Sequence, residues 1–167
     1  MSKRFNAAPV DFDAGIDGIV PSTQEAYHHE GFEEAVRKTE KESLTIFKST
    51  VSRDWDTRLA GIENFPTDRE VFVFVVQYFV SEIEYRRRDI DNIAKTILDI
   101  LKGRLYRDDS QVRTLLVTKK MEQRVPQNFA YVAVKKLNLT QDVDALKISG
   151  LERSITMFQE LKSKGVL

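Results

Sequence analysis

The sequence predicts an α+β fold: a single domain with a mixed β-sheet, a central hydrophobic strand, a C-terminal hairpin, and helices packed on the sheet. Three observations predict it. The predicted elements run helix, strand, helix, hairpin, helix, which is not the regular alternation of a parallel α/β protein. The run Val71 to Val80 is apolar on both faces and is interrupted only by Gln77. The stretch Asp89 to Lys102 carries its apolar residues at helical spacing. Hydrophobic residues make up 41% of the chain and charged residues 31%, which is the balance of a folded globular domain. A chain of this size buries roughly two-thirds of its unfolded surface, so it needs no covalent staples.

Each element has its own warrant. Residues 1–22 show no clean period. Asp11, Asp13, Gly15, Asp17, Gly18 and Pro21 are turn formers, with a short strand near Ile19. The Asp-x-Asp-x-Gly stretch there lacks the later glutamate and the flanking helices of a calcium loop. From Glu30 to Val51, Phe32, Ala35, Val36, Leu44, Phe47 and Val51 recur at threes, fours and sevens, which predicts a helix. Arg53 to Phe65 reads as a connector holding the only tryptophan, Trp55. Glu70 to Ile83 is rich in Val, Phe and Tyr and reads as a buried central strand. In Asp89 to Lys102, Ile90, Ile93, Ala94, Ile97, Leu98 and Leu101 form one stripe. Asp89 or Asp91 can cap that helix and Gly103 can end it. Ser110 to Met121 and Phe129 to Leu137 alternate around a turn at Pro126, which predicts a hairpin. Ser149 and Glu152 form a capping box for a last helix through Leu161.

The chain has no cysteine, which excludes disulfide frameworks, thiolate metal sites, iron–sulfur clusters and cysteine nucleophiles. The first twenty or so residues lack the apolar core of a signal peptide. The longest apolar run is far too short to span a bilayer. A cytoplasmic protein without a membrane partner is the expectation. Lysine plus arginine and aspartate plus glutamate each number 26, and a net charge of zero is unlike that of a nucleic-acid binder. The balance is uneven along the chain. Residues 1–34 carry a net of −5, and residues 85–120 carry ten basic against five acidic residues. Such asymmetry points to a polyanionic partner, against the plainer reading of solvated mixed charge.

The basic stretch also carries the chemistry. It reads Tyr-Arg-Arg-Arg-Asp-Ile-Asp-Asn-Ile-Ala-Lys from Tyr85, then Leu-Tyr-Arg-Asp-Asp-Ser-Gln to Gln111. Asp89 and Asp91 flank one residue where strand gives way to helix. Lys95 lies four residues past Asp91, on the same helical face. Asp108 and Asp109 open the next strand, and a strand–helix–strand path can bring both acidic sets to one end of a sheet. Clustered carboxylates resist ionisation unless a cation sits among them. Hard oxygen ligands without His or Cys suit Mg²⁺, with Mn²⁺ as a substitute. Such an ion stabilises phosphoryl charge and generates a hydroxide nucleophile. Lys95 adds a fixed charge for the scissile phosphate, and Arg86, Arg87 and Arg88 supply phosphate contacts beside it. Taken singly, each residue has a plainer job: a helix cap, a surface ion pair, a turn. His28 and His29, near Glu33 and Glu34, read as surface histidines before a metal pair. Arg107 either touches DNA or balances the acids that follow it.

The stretch Arg-Arg-Asp-x-Asp-Asn-x-x-Lys followed by Asp-Asp-Ser-Gln-Val resembles the signature of the RusA family of Holliday junction resolvases, in order, type and spacing from Arg86 to Val112. A weaker likeness extends back through Val71–Val80 and forward to about Leu137. Pro21-Ser22 corresponds to the family's Pro-Pro-Ser element with one proline in place of the usual pair. The resemblance implies a RusA-like core over residues 23–140, with an acidic extension at 1–22 and an appended helix at 141–167. It implies a homodimeric, Mg²⁺-dependent endonuclease that cuts four-way or branched DNA by paired nicks, in recombination and repair, without a nucleotide cofactor. Its metal-binding acids fall on Asp89, Asp91 and Asp109 and its essential lysine on Lys95. Asn92 matches the signature's asparagine, and Asp108 matches an acid ranked below Asp109. The alternative is a catalytically silent DNA-binding or protein-interaction module on the same fold.

Overall fold

The computed structural model describes residues 10–22 and 34–138. The chain divides into a unit at Met1–Lys136 and another at Leu137–Leu167. The helix expected near Leu161 and the histidines at 28 and 29 lie outside the described residues.

The first strand, β1, is Phe12–Asp17. Phe12, Ala14 and Ile16 point inward and are buried, while Asp13, Gly15 and Asp17 face out. The acids that made this segment look like a loop therefore sit on the solvent side of an edge strand. They hold it there: Asp11 accepts a hydrogen bond from the Lys136 N–H at 2.6 Å, and Tyr131 donates its hydroxyl to Asp13 at 2.9 Å.

Helix α1, Glu34–Leu59, runs on through the segment expected to be a connector. The reason is Trp55. Its side chain is fully buried and packs edge-on against Phe12 of β1, with ring centroids 5.6 Å apart. Burying a tryptophan outweighs the weak local propensity of the polar residues around it. Lys48–Asp99 and Arg104–Asp56 ion pairs, at 2.7 and 2.9 Å, tie α1 to the central helix and the loop after it.

Strand β2, Val71–Phe79, is the centre of the sheet. Val71, Val73, Val75, Gln77 and Phe79 share one fully buried face. Gln77 is not a flaw in this run. Its Oε1 accepts from the Val20 N–H at 2.9 Å and its Nε2 donates to the Gly18 carbonyl at 3.0 Å. A buried amide with both ends satisfied is tolerated where a lone polar group is not.

The short helix α2, Glu82–Arg87, and helix α3, Ile90–Leu101, lead from β2 into strand β3, Val112–Met121. Ile93, Ile97, Ile100 and Leu101 of α3 are buried, with Asn92 and Thr96. Gly103 follows with φ 79°, the left-handed conformation that ends a helix. Strand β4, Phe129–Lys136, completes a sheet of order β1-β4-β2-β3.

The mixed sheet agrees with the predicted class, but the C-terminal hairpin does not form. Strand β3 pairs with β2 in parallel, Val75 opposite Val117. Strand β4 pairs with the other edge of β2 antiparallel, Val75 opposite Val132. The two strands reverse direction as expected, yet β2 lies between them. Alternation gives a strand its faces and says nothing about its neighbours. The connection passes over the end of β2, held by Glu122 N–H to the Phe79 carbonyl and by Val80 N–H to Asn128 Oδ1, each 2.9 Å.

Candidate functional site

The motif Arg86 to Lys95 falls on the break between α2 and α3. Arg88 and Asp89 are both extended, with φ/ψ of −102°/124° and −86°/140°. Two extended residues turn the chain between the helices and leave Asp89 at the N-cap position of α3. Its side chain makes no capping hydrogen bond. Asp91 follows in the first turn and Lys95 one turn later, and all three are exposed. None of their side chains forms a hydrogen bond or ion pair with another described residue. Both carboxylates sit at the positive end of the helix dipole. Asn92 turns the other way and is buried, 5% exposed, beneath this surface.

The arginines differ from one another. Arg86 makes an exposed ion pair with Glu82 one turn back, its shortest contact 2.6 Å. Arg87 is exposed, and Arg88 is half-buried.

A lysine that the motif does not contain organises the break. Lys119 of β3 points to the helix side of the sheet, opposite Gln77. Its ammonium donates to the Tyr85 carbonyl at 2.8 Å and to the Arg88 carbonyl at 2.5 Å. It also lies 4.5 Å from the centroid of the Tyr85 ring. That ring in turn meets Phe79 edge-on at 5.6 Å. The signal in the sequence was a lysine in phase with Val117 and Met121, at an inward position of an alternating strand.

The second acidic pair is built differently. Asp108 caps a single 3-10 turn, Asp109–Gln111, by accepting from the Ser110 N–H at 3.0 Å. Gln111 returns the bond, its Oε1 accepting from the Asp108 and Arg107 N–H groups. Its Nε2 donates to the Thr67 and Arg69 carbonyls. Lys102, just past α3, reaches both acids, 2.9 Å to Asp108 and 3.4 Å to Asp109. The Lys102 ammonium, and after it the Ser110 N–H, holds the Asp108 carboxyl well below its usual range. Burial, and after it the Asp109 charge, pushes the Tyr106 hydroxyl up. Arg107 pairs with Asp68 at 2.5 Å, so it balances an acid outside the motif.

The two acidic sets do not meet at one end of the sheet. Parallel pairing puts the end of β2 and the start of β3 at opposite ends, with α3 running back between them. From Asp91 to Leu101 that helix covers about 15 Å. Lys102 and Asp109 therefore stand at the far end of α3 from Asp89, Asp91 and Lys95. Among the described residues no three carboxylates or histidines are grouped to hold a metal ion. The groove lined by Lys48, Arg53, Asp56, Asp99 and Arg104 is a separate feature between α1 and α3.

Residues 19–132, which hold this acid-and-lysine surface and most of the mixed sheet, match the family model described as Endodeoxyribonuclease RusA, and that match places the chain with the endodeoxyribonucleases. That match covers more than half of the chain and includes every residue of the motif. The chain belongs to the RusA family, whose members act on Holliday junctions. No curated protein matches it. No described helix is long and apolar enough to cross a membrane.

Proposed function

We propose that this chain is a Mg²⁺-dependent endonuclease that resolves four-way DNA junctions by paired nicks, acting as a homodimer. The observation that carries the reading is the open state of Asp89, Asp91 and Lys95. Three charged groups crowd the first turns of one helix, and no described residue neutralises them.

The fit to a divalent cation is good for two of the three expected ligands. Asp89 and Asp91 offer hard, exposed carboxylate oxygens with no competing partner. Mg²⁺ characteristically takes one or two carboxylates and completes its shell with water and substrate phosphate. Bound there, the ion would polarise a phosphoryl oxygen and lower the pKa of an attacking water. Asp109 stands with Lys102 and does not join the pair within one chain. A twofold dimer is one arrangement that supplies a further carboxylate.

The chain's own residues divide the remaining tasks. Lys95, one turn above Asp91, presents an ammonium to the scissile phosphate and stabilises the charge that develops on its oxygens. Arg87 offers an unshared guanidinium to the backbone beside it, and Arg86 does so at the cost of its exposed pair with Glu82.

Replacing Asp91 by Asn tests the assignment. The variant keeps size and hydrogen-bonding shape on an exposed surface, so fold and junction affinity should hold while incision of a synthetic four-way junction in Mg²⁺ falls by at least a hundredfold. Wild-type cutting by Asp91→Asn, or by the native chain in EDTA, would overturn the metal reading. The separation of Asp109 favours a second reading, a protein that binds junctions without cutting them. Retained binding with no incision by the native chain in either metal would establish it.

A further inference from the structure

We infer that Lys119 is the positioning residue of the candidate metal site: it fixes the Arg88–Asp89 break and so sets where the Asp89 carboxylate stands. The inference rests on the assignment of Asp89 and Asp91 to the metal.

Lys119 comes from β3, far in sequence from the motif, and its ammonium closes on the two carbonyls that bracket the end of α2. Tyr85 lies within that helix and Arg88 just beyond it. The last carbonyls of a helix have no partners of their own, and a lysine that donates to them also suits the negative end of the dipole. Helix α2 has only six residues, too few to hold its end in place by internal bonding. The Arg88 carbonyl is one peptide bond from Asp89. Fixing that carbonyl fixes the orientation of the peptide unit from which Asp89 projects. Tyr85, held between Phe79 and the Lys119 ammonium, ties the same turn to the core. Asp89 makes no capping bond of its own, so the backbone clamp is what orients it.

An inward lysine on an edge strand also has a plain explanation, since such charges block pairing with another sheet. That role needs the charge alone. It does not need two carbonyls at 2.8 and 2.5 Å.

Calorimetric titration of the full-length protein with Mn²⁺, without DNA, separates the two. Lys119→Met keeps the chain length and removes the donors. Lys119→Arg keeps the charge and the donors. Groups that orient ligands from behind typically change metal affinity about 10- to 100-fold. We expect Lys119→Met to weaken Mn²⁺ binding at least tenfold, with Lys119→Arg recovering most of it. Asp89→Asn is titrated in parallel as the loss of the oriented ligand. If Asp89→Asn weakens binding and a folded Lys119→Met does not, the positioning role is overturned and the site assignment stands. If neither variant changes binding, both fall. If Lys119→Met weakens binding and Asp89→Asn does not, the ammonium acts elsewhere and the inference is overturned. Should Lys119→Met not fold, Lys119→Gln takes its place, an uncharged polar side chain too short to span both carbonyls: Mn²⁺ affinity at least tenfold below native at unchanged melting temperature supports the clamp, and native affinity in that variant overturns it.

Discussion

Lys102 and Asp108 show how an acid can belong to a functional motif and serve the fold. Asp108 caps a turn and meets an ammonium, and both partners shift in the direction that favours the charged pair. The Asp108 carboxyl is lowered, by Lys102 first, and the Lys102 ammonium is raised, by Asp108 first and then Asp109. The folded chain therefore binds fewer protons at Asp108 than the unfolded chain. That contribution is complete above the ordinary carboxyl pKa, about 4, and is lost as pH falls through the lower folded value. For Lys102 it is complete below the ordinary value of 10.5 and is lost as pH rises through the raised folded value. Both groups are exposed, so the effect is small. Asn at 108 keeps an oxygen for the Ser110 N–H and drops the charge. We expect Asp108→Asn to melt slightly below the native chain at pH 7. The gap should narrow in added salt and close in strong acid. Thermal melts at several pH values check it, and a gap that stays constant as pH falls from neutral through the lowered folded value would assign the loss to the cap instead.

At the scale of elements, what was legible followed from periodicity, and what was not depended on distant partners. The stripe Ile93, Ile97, Leu101 identified α3 within a residue of its ends, and the strand expected over Glu70 to Ile83 contains β2 but overruns it into α2. Helix α1 was placed too short because the residue that extends it, Trp55, is buried by Phe12, far away in sequence. Strand β1 was hidden because Asp and Gly, poor strand formers, face solvent on an edge. Gln77 looked like an interruption because its partners, Gly18 and Val20, lie in the loop after β1. Its clamp gives an expected magnitude. Gln77→Leu keeps the volume and strands the Val20 N–H and the Gly18 carbonyl in the core. Leaving buried backbone groups unpaired costs roughly 1–3 kcal/mol, so we expect a loss of about 2 kcal/mol in urea unfolding, with an unchanged slope. A loss under about 0.5 kcal/mol would mean that water satisfies both groups.

The placement of Asp91 and Lys95 was legible for the same reason that α3 was: the two share a helical face whatever the topology. The place of Asp109 was not, because it depends on whether β3 lies parallel or antiparallel to β2, and no local pattern encodes that. The topology in turn bears on the whole molecule. It makes β3 an edge strand and leaves Leu115 and Leu116, on opposite faces of it, 38% and 47% exposed. Strand β4 is enclosed by β1 and β2, and its Val132 and Val134 are fully buried. Leu115 and Leu116 thus put apolar material for an interface on this edge, in addition to the exposed Ile46, Ile83 and Ile90 on the helices. A four-way junction presents two related strands, one chain carries one Asp89–Asp91 pair, and closed twofold assembly is the commonest solution for soluble oligomers. We expect sedimentation equilibrium to give twice the 19.3 kDa chain mass. Leu116→Lys puts a charge on the exposed edge without entering the core, and should shift the protein to monomer while leaving the chain folded. That monomer should lose paired nicking, since one site makes one cut per encounter. A native chain that sediments as a monomer and still makes paired nicks would overturn the symmetry argument. A Leu116→Lys variant that stays dimeric would move the interface off this edge.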